Sequence, residues 1–153
     1  SPIVYKTTDE WGKISEVINR YFVAKSGIYH YLSTAKRNYK EFLLGDMVKY
    51  KKYFYVLRPI LACKWILAEG TPPPMLFRTL MEKYLDLEIR PDVEQLLELK
   101  MTMPEFGEGK RFDRVNDYLD RNIEEIGKVI ATLPEENVAG WDELNEIFLG
   151  LLE

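Results

Sequence analysis

The stretch Lys49–Pro59 reads KYKKYFYVLRP and sets four cations among rings and apolar side chains. At roughly 100° per helical residue, Lys51, Lys52, Tyr55 and Arg58 fall on one side of a helix. Tyr50, Tyr53, Phe54, Leu57, Ile60 and Leu61 cluster on the other, as a core stripe does. Such a basic face suits an anion. Arg58 could grip phosphate oxygens through its planar fork, and Lys52 could do so as a point charge. Tyr55 could stack on a base or donate its hydroxyl to a phosphate or sugar. The same pattern also fits a solvated surface in which Arg58 pairs with a carboxylate.

Other candidate groups are fewer. Tyr31, Ala35, Asn38 and Phe42 share one face of the preceding helix, which puts an amide inside an apolar stripe. A buried amide needs partners, and Asn38 is expected to fix neighbouring backbone rather than touch a ligand. His30 is the single histidine, too little for a His-based metal site or a His–Cys relay. Cys63 is the single cysteine; it cannot form an internal disulfide, and it agrees with a reducing cytoplasm. The loop MPEFGEGKR holds Glu105 and Glu108 near Lys100, Lys110 and Arg111. Packed against a cationic cleft, it could add Lys100 and Glu105 to the site. The spaced carboxylates Asp86 and Glu88 sit at a predicted helix end without supporting strands and read as surface.

These side chains must be positioned by helices. Thr7 with Glu10 makes a capping-box start, followed at helical spacing by Trp11, Ile14, Val17, Ile18 and Phe22. Ser26 can cap a second helix that stops at Gly45, and Asp46 a third that Gly70 closes. After the rigid triplet Pro72–Pro74, Met75 to about Leu85 reads as a fourth. Arg90-Pro91-Asp92 starts a fifth, reaching Met103, with Pro in the first turn. The loop Pro104–Lys110 leads to a sixth over Arg111–Leu133, and Trp141–Leu152 makes the last. No two-residue alternation appears. The expectation is an all-α single domain over residues 1–153, a bundle of about seven helices. Beyond Pro59, ILACKWILA is apolar nearly all round, so the third helix is the buried centre, kinked or divided by that proline.

The 46 % apolar and 30 % charged composition is that of a globular chain, not a disordered one. The longest apolar run, Ile60–Ala68, is broken by Lys64 and falls far short of the roughly 20 residues that span a bilayer. A net charge of −4 hides an asymmetry: residues 1–70 hold 12 Lys/Arg against 6 Asp/Glu, and residues 71–153 hold 9 against 19. Uneven charge of this kind can focus a field on one face.

The runs HYLSTAKRNYKEFL, KYKKYFYVLRPILACKWI, PPPMLF and LLELKMTMPE together resemble the C-terminal helical part of predicted nucleotidyltransferases of the DNA polymerase beta superfamily associated with bacterial RNA repair. The likeness begins at SPIVY, which lacks an initiator Met and in such proteins follows the catalytic domain. It implies a helical wall of a nucleotidyltransferase cleft, facing its own N-terminal catalytic domain and receiving RNA or a nucleoside triphosphate. The residues matching the recurring polar pattern are Tyr31, Asn38, Lys52, Tyr55, Arg58, Lys100 and Glu105, with Lys51 beside them on the basic face. Superfamily members hold the triphosphate on a Gly-Ser turn and two Mg²⁺ ions on an Asp-x-Asp pair plus a third carboxylate. This chain has no Gly-Ser dipeptide and no supported carboxylate pair. Mg²⁺ is therefore expected only for a full-length enzyme.

Two other classes compete. A noncatalytic interaction or dimerisation domain would use exposed apolar residues such as Ile66 and Trp141, with the basic face docking an acidic domain. An α-helical endoribonuclease of the HEPN type would need an arginine four to seven residues before His30, where Val23, Ala24, Lys25 and Ser26 stand instead.

Overall fold

The computed structural model describes residues 24–104 and 107–132. In chain order these form α1 (24–42), β1 (Met47–Lys49), α2 (Lys51–Glu69), α3 (Phe77–Tyr84), α4 (Arg90–Thr102), β2 (Glu108–Lys110) and α5 (Asp113–Thr132). α2 is the centre, packing against β1, α3, α4 and α5. Its buried residues include Tyr53, Phe54, Val56, Leu57, Ile60, Leu61, Ala62, Cys63 and Ile66, so burial spreads round the helix after Pro59. The proline does not divide it. Gly70 ends it in the left-handed region at φ 69°, its N–H returning to the Ile66 carbonyl at 2.9 Å. α5 buries Val115, Tyr118, Leu119, Ile123, Ile126 and Ile130, an apolar stripe at helical spacing. Pro91 and Asp92 occupy the first turn of α4, where a missing N–H and a negative charge are both favourable.

The expected count of seven helices does not match the five among the described residues; the helices expected after Thr7 and over Trp141–Leu152 lie outside those residues. The all-α expectation is corrected to a mostly helical fold with one small sheet. α1 stops at residue 42 rather than Gly45, and Asp46 does not begin α2. Instead Met47–Lys49 pairs antiparallel with Glu108–Lys110, Val48 opposite Gly109. The β-branched Val48 is buried between an exposed Met47 and a half-buried Lys49, and strand pairing satisfies backbone groups of two linkers that would otherwise lack partners. Gly109 is required here because a Cβ would collide with the Tyr50 ring, whose hydroxyl donates to the Lys110 carbonyl at 2.9 Å.

A buried polar junction joins three elements beside this sheet. The Tyr53 hydroxyl donates to Asn116 Oδ1 at 2.6 Å and accepts the Phe112 N–H at 2.8 Å. Asn116 Nδ2 in turn donates to the Leu43 carbonyl at 2.7 Å. Burial pushes the Tyr53 phenol up to about 12, so it remains a donor at neutral pH. This junction fixes the end of α1 and the start of α5 on the first turn of α2, the turn that carries Lys51 and Lys52.

No helix among the described residues is long and apolar enough to cross a membrane. Ile66, expected as an exposed contact residue, is 6 % exposed and belongs to the core, while Trp141 lies outside the described residues. Cys63 is fully buried, its Sγ 3.6 Å from the Ile28 carbonyl, and burial pushes the thiol up to about 12.

Candidate functional site

Pro59 has no N–H, so the carbonyl of Tyr55, four residues earlier, loses its helical donor. Asn38 Nδ2 on α1 donates to that carbonyl at 3.3 Å. The amide in the apolar stripe of α1 thus serves a backbone group that the proline leaves open, and it fastens α1 to α2 at the Tyr55 turn. One turn away, Lys52 Nζ lies 4.1 Å from the Phe42 ring centroid and 4.4 Å from that of Tyr55. Asn38, Lys52 and Tyr55 are therefore brought together, with Phe42 as a fourth member.

A second run continues from this cluster. Arg58 donates through Nη1 to the Met75 carbonyl at 2.7 Å and lies over the Phe77 ring at 5.7 Å. Phe77 meets Phe54 edge to face at 5.4 Å, and Lys100 lies over Phe54 at 4.9 Å. Arg58 is thus tied to main chain, not to a carboxylate, and it holds the proline-rich loop 71–76 against α2. At the other end of that loop, Trp65 Nε1 donates to Thr71 Oγ1 at 3.1 Å. Lys51 and Lys100 both line a cavity of about 230 Å³, together with Lys49, Tyr50, Leu99 and Met103. Tyr31 is half-buried against the core with its ring edge-on to His30. Glu105 lies outside the described residues.

Two sets of cations differ in their partners. Lys64, Arg78, Lys83, Arg111, Arg114, Arg121 and Lys128 each pair with a carboxylate. Lys52, Arg58 and Lys100 have no such pairing among the described residues and sit on aromatic rings, as the acid-paired Lys64 and Lys83 also do. A cation resting on a ring keeps its positive field, whereas a carboxylate cancels it. The outward side of α2 therefore offers uncompensated charge beside exposed ring surface, Tyr55 being 43 % exposed.

The described residues do not fit a two-Mg²⁺ site. No three His, Cys, Asp or Glu side chains among them converge for a metal. Asp86 pairs with Lys64 at 3.6 Å and Glu88 with Arg121 at 3.0 Å, so both carboxylates are engaged in ion pairs.

Sequence reasoning did not single out Phe42, Phe54 and Phe77 as members of the site. Phe42 was visible one turn after Asn38 on the same face. Phe54 and Phe77 read as core residues, and their contacts with Lys100 and Arg58 join segments that helical periodicity cannot relate.

Residues 1–150 match the model of the RNA repair pathway DNA polymerase beta family. The match assigns a family and does not assign the chain to a C-terminal portion of it. The chain is also 41 % identical over 133 residues to the uncharacterized protein YcgL of Bacillus subtilis strain 168, covering 86 % of this chain and 51 % of that protein. It spans about half the length of that curated relative. No solved structure matches the chain.

Proposed function

We propose, from the premise that this chain belongs to the RNA repair pathway DNA polymerase beta family, that it supplies the helical substrate-holding surface of a nucleotidyltransferase. Its outward α1–α2 face receives RNA or a nucleoside triphosphate. The Gly-Ser turn and the Mg²⁺-holding carboxylates belong to a separate catalytic domain against which this surface packs. One observation carries the reading: Lys52, Arg58 and Lys100 rest on rings with no carboxylate beside them among the described residues, whereas Lys64, Arg78, Lys83, Arg111, Arg114, Arg121 and Lys128 pair with acids. Cations of this kind give affinity for phosphates, and rings give stacking without demanding a base sequence.

Fluorescence anisotropy with a short RNA at low and moderate salt tests it. Weak binding that fades with added salt is expected, and Lys52→Glu should weaken it about tenfold, equivalent to about 1.4 kcal/mol. No binding at low salt, or binding indifferent to Lys52→Glu, would overturn the assignment.

A second reading has its own observation. Met75 and Leu76 are 90 % and 71 % exposed in the loop that Arg58 holds, a surface open to a protein partner or a second copy. Light scattering on the eluting protein separates the two: a dimer that dissociates on Met75→Ser favours docking, and a monomer favours the substrate surface.

A further inference from the structure

We propose that Phe42, Lys52 and Tyr55 form a slot for one unpaired nucleobase of an RNA strand, occupied by the Lys52 ammonium while the protein is free. The proposal rests on the reading above and deepens it by committing to the strand. When the base enters, Lys52 swings out and neutralises the phosphate next to it.

The geometry favours this exchange. The ammonium stands 4.1 and 4.4 Å from two rings contributed by different helices. The ammonium lies over both rings, so the space it fills borders two ring faces on which an entering base can stack. Neither ring must be ordered first. Phe42 packs partly on the core, and the Tyr55 backbone is held by Asn38 at 3.3 Å. Lys52 is bound to no carboxylate among the described residues, and its long stem lets the charge move while its Cα stays put. Base stacking on a ring is worth more than the exposed cation–ring contact it replaces.

The surrounding charge argues for a strand over a free triphosphate. Lys52 and Arg58 lie about 9 Å apart along α2. Cations spaced along a helix suit successive phosphates of a strand, whereas a triphosphate calls for convergent ones. A duplex is disfavoured because its bases are already stacked and its edges are shielded.

The test uses the whole chain and a short unstructured RNA carrying 2-aminopurine at one internal position, with anisotropy and 2-aminopurine emission read together. The strand should bind about tenfold tighter than the same strand annealed to its complement, and binding should quench the probe. Tyr55→Ala should abolish the quenching and weaken binding about tenfold, while Tyr55→Trp retains both. Lys52→Ala should weaken binding yet leave the quenching, because the slot is then open. Binding without quenching, equal affinity for strand and duplex, or equal affinity for ATP would overturn the slot while leaving the anionic surface standing. Absence of any binding at low salt would overturn both.

Discussion

Tyr53→Phe is expected to destabilise the fold by about 3 kcal/mol, the larger part of which comes from two buried groups left without partners. The lost hydroxyl serves Asn116 Oδ1 at 2.6 Å and the Phe112 N–H at 2.8 Å, and Tyr53 itself is fully buried. No water can replace these bonds without opening the core. For a chain of this length such a loss lowers the melting temperature by roughly 6–12 °C. Asn116→Leu should be comparably harmful, since it also orphans the Leu43 carbonyl. The double variant should cost clearly less than the sum, because Tyr53 and Asn116 satisfy each other. Calorimetry on the four proteins checks this. Additive losses would mean that the two side chains do not act as one junction.

Asn38→Leu is expected to cost about 1 kcal/mol in the native chain and less than half of that in a Pro59→Ala background. The reason is specific to the helix. Pro59 withholds the N–H that would reach the Tyr55 carbonyl, and Asn38 Nδ2 takes its place at 3.3 Å. Alanine at residue 59 restores the N–H and makes the amide redundant. A denaturant double-mutant cycle measures the coupling directly. Equal costs in the two backgrounds would show that Asn38 stabilises the helix pair in some other way. The outcome bears on function as well, because this bond sets the spacing of Phe42, Lys52 and Tyr55.

Much of this was legible from the residue pattern. The apolar run after Pro59 gave away the central helix, Gly70 its end, and Pro91 the start of α4. The basic side of α2 was legible too, since a 100° step separates Lys52 and Arg58 from Tyr53 and Leu57. What could not be read were contacts between segments far apart in the chain. Met47–Lys49 is too short to show alternation, and it becomes a strand only because Glu108–Lys110 lies alongside. Arg58 looked like a free anion ligand or an ion-pair partner, yet its acceptor is a main-chain carbonyl at Met75, which carries no side-chain signature. The function of Asn38 was half visible: an amide in an apolar stripe implied a backbone partner, and Pro59 marked which carbonyl lacked a donor.

The salt dependence of RNA binding tests the central claim most directly. The slope of log affinity against log salt should fall by about 0.7 for each cation that contacts a single-strand phosphate. Lys52→Ala and Lys100→Ala should therefore each lower the slope by about that amount, and Lys128→Ala, whose ammonium pairs with Glu124 on the acidic outer face of α5, should leave it unchanged. Identical slopes for the native chain and all three variants would contradict the account, for the cations resting on rings would then be no nearer the RNA than those neutralised by acids.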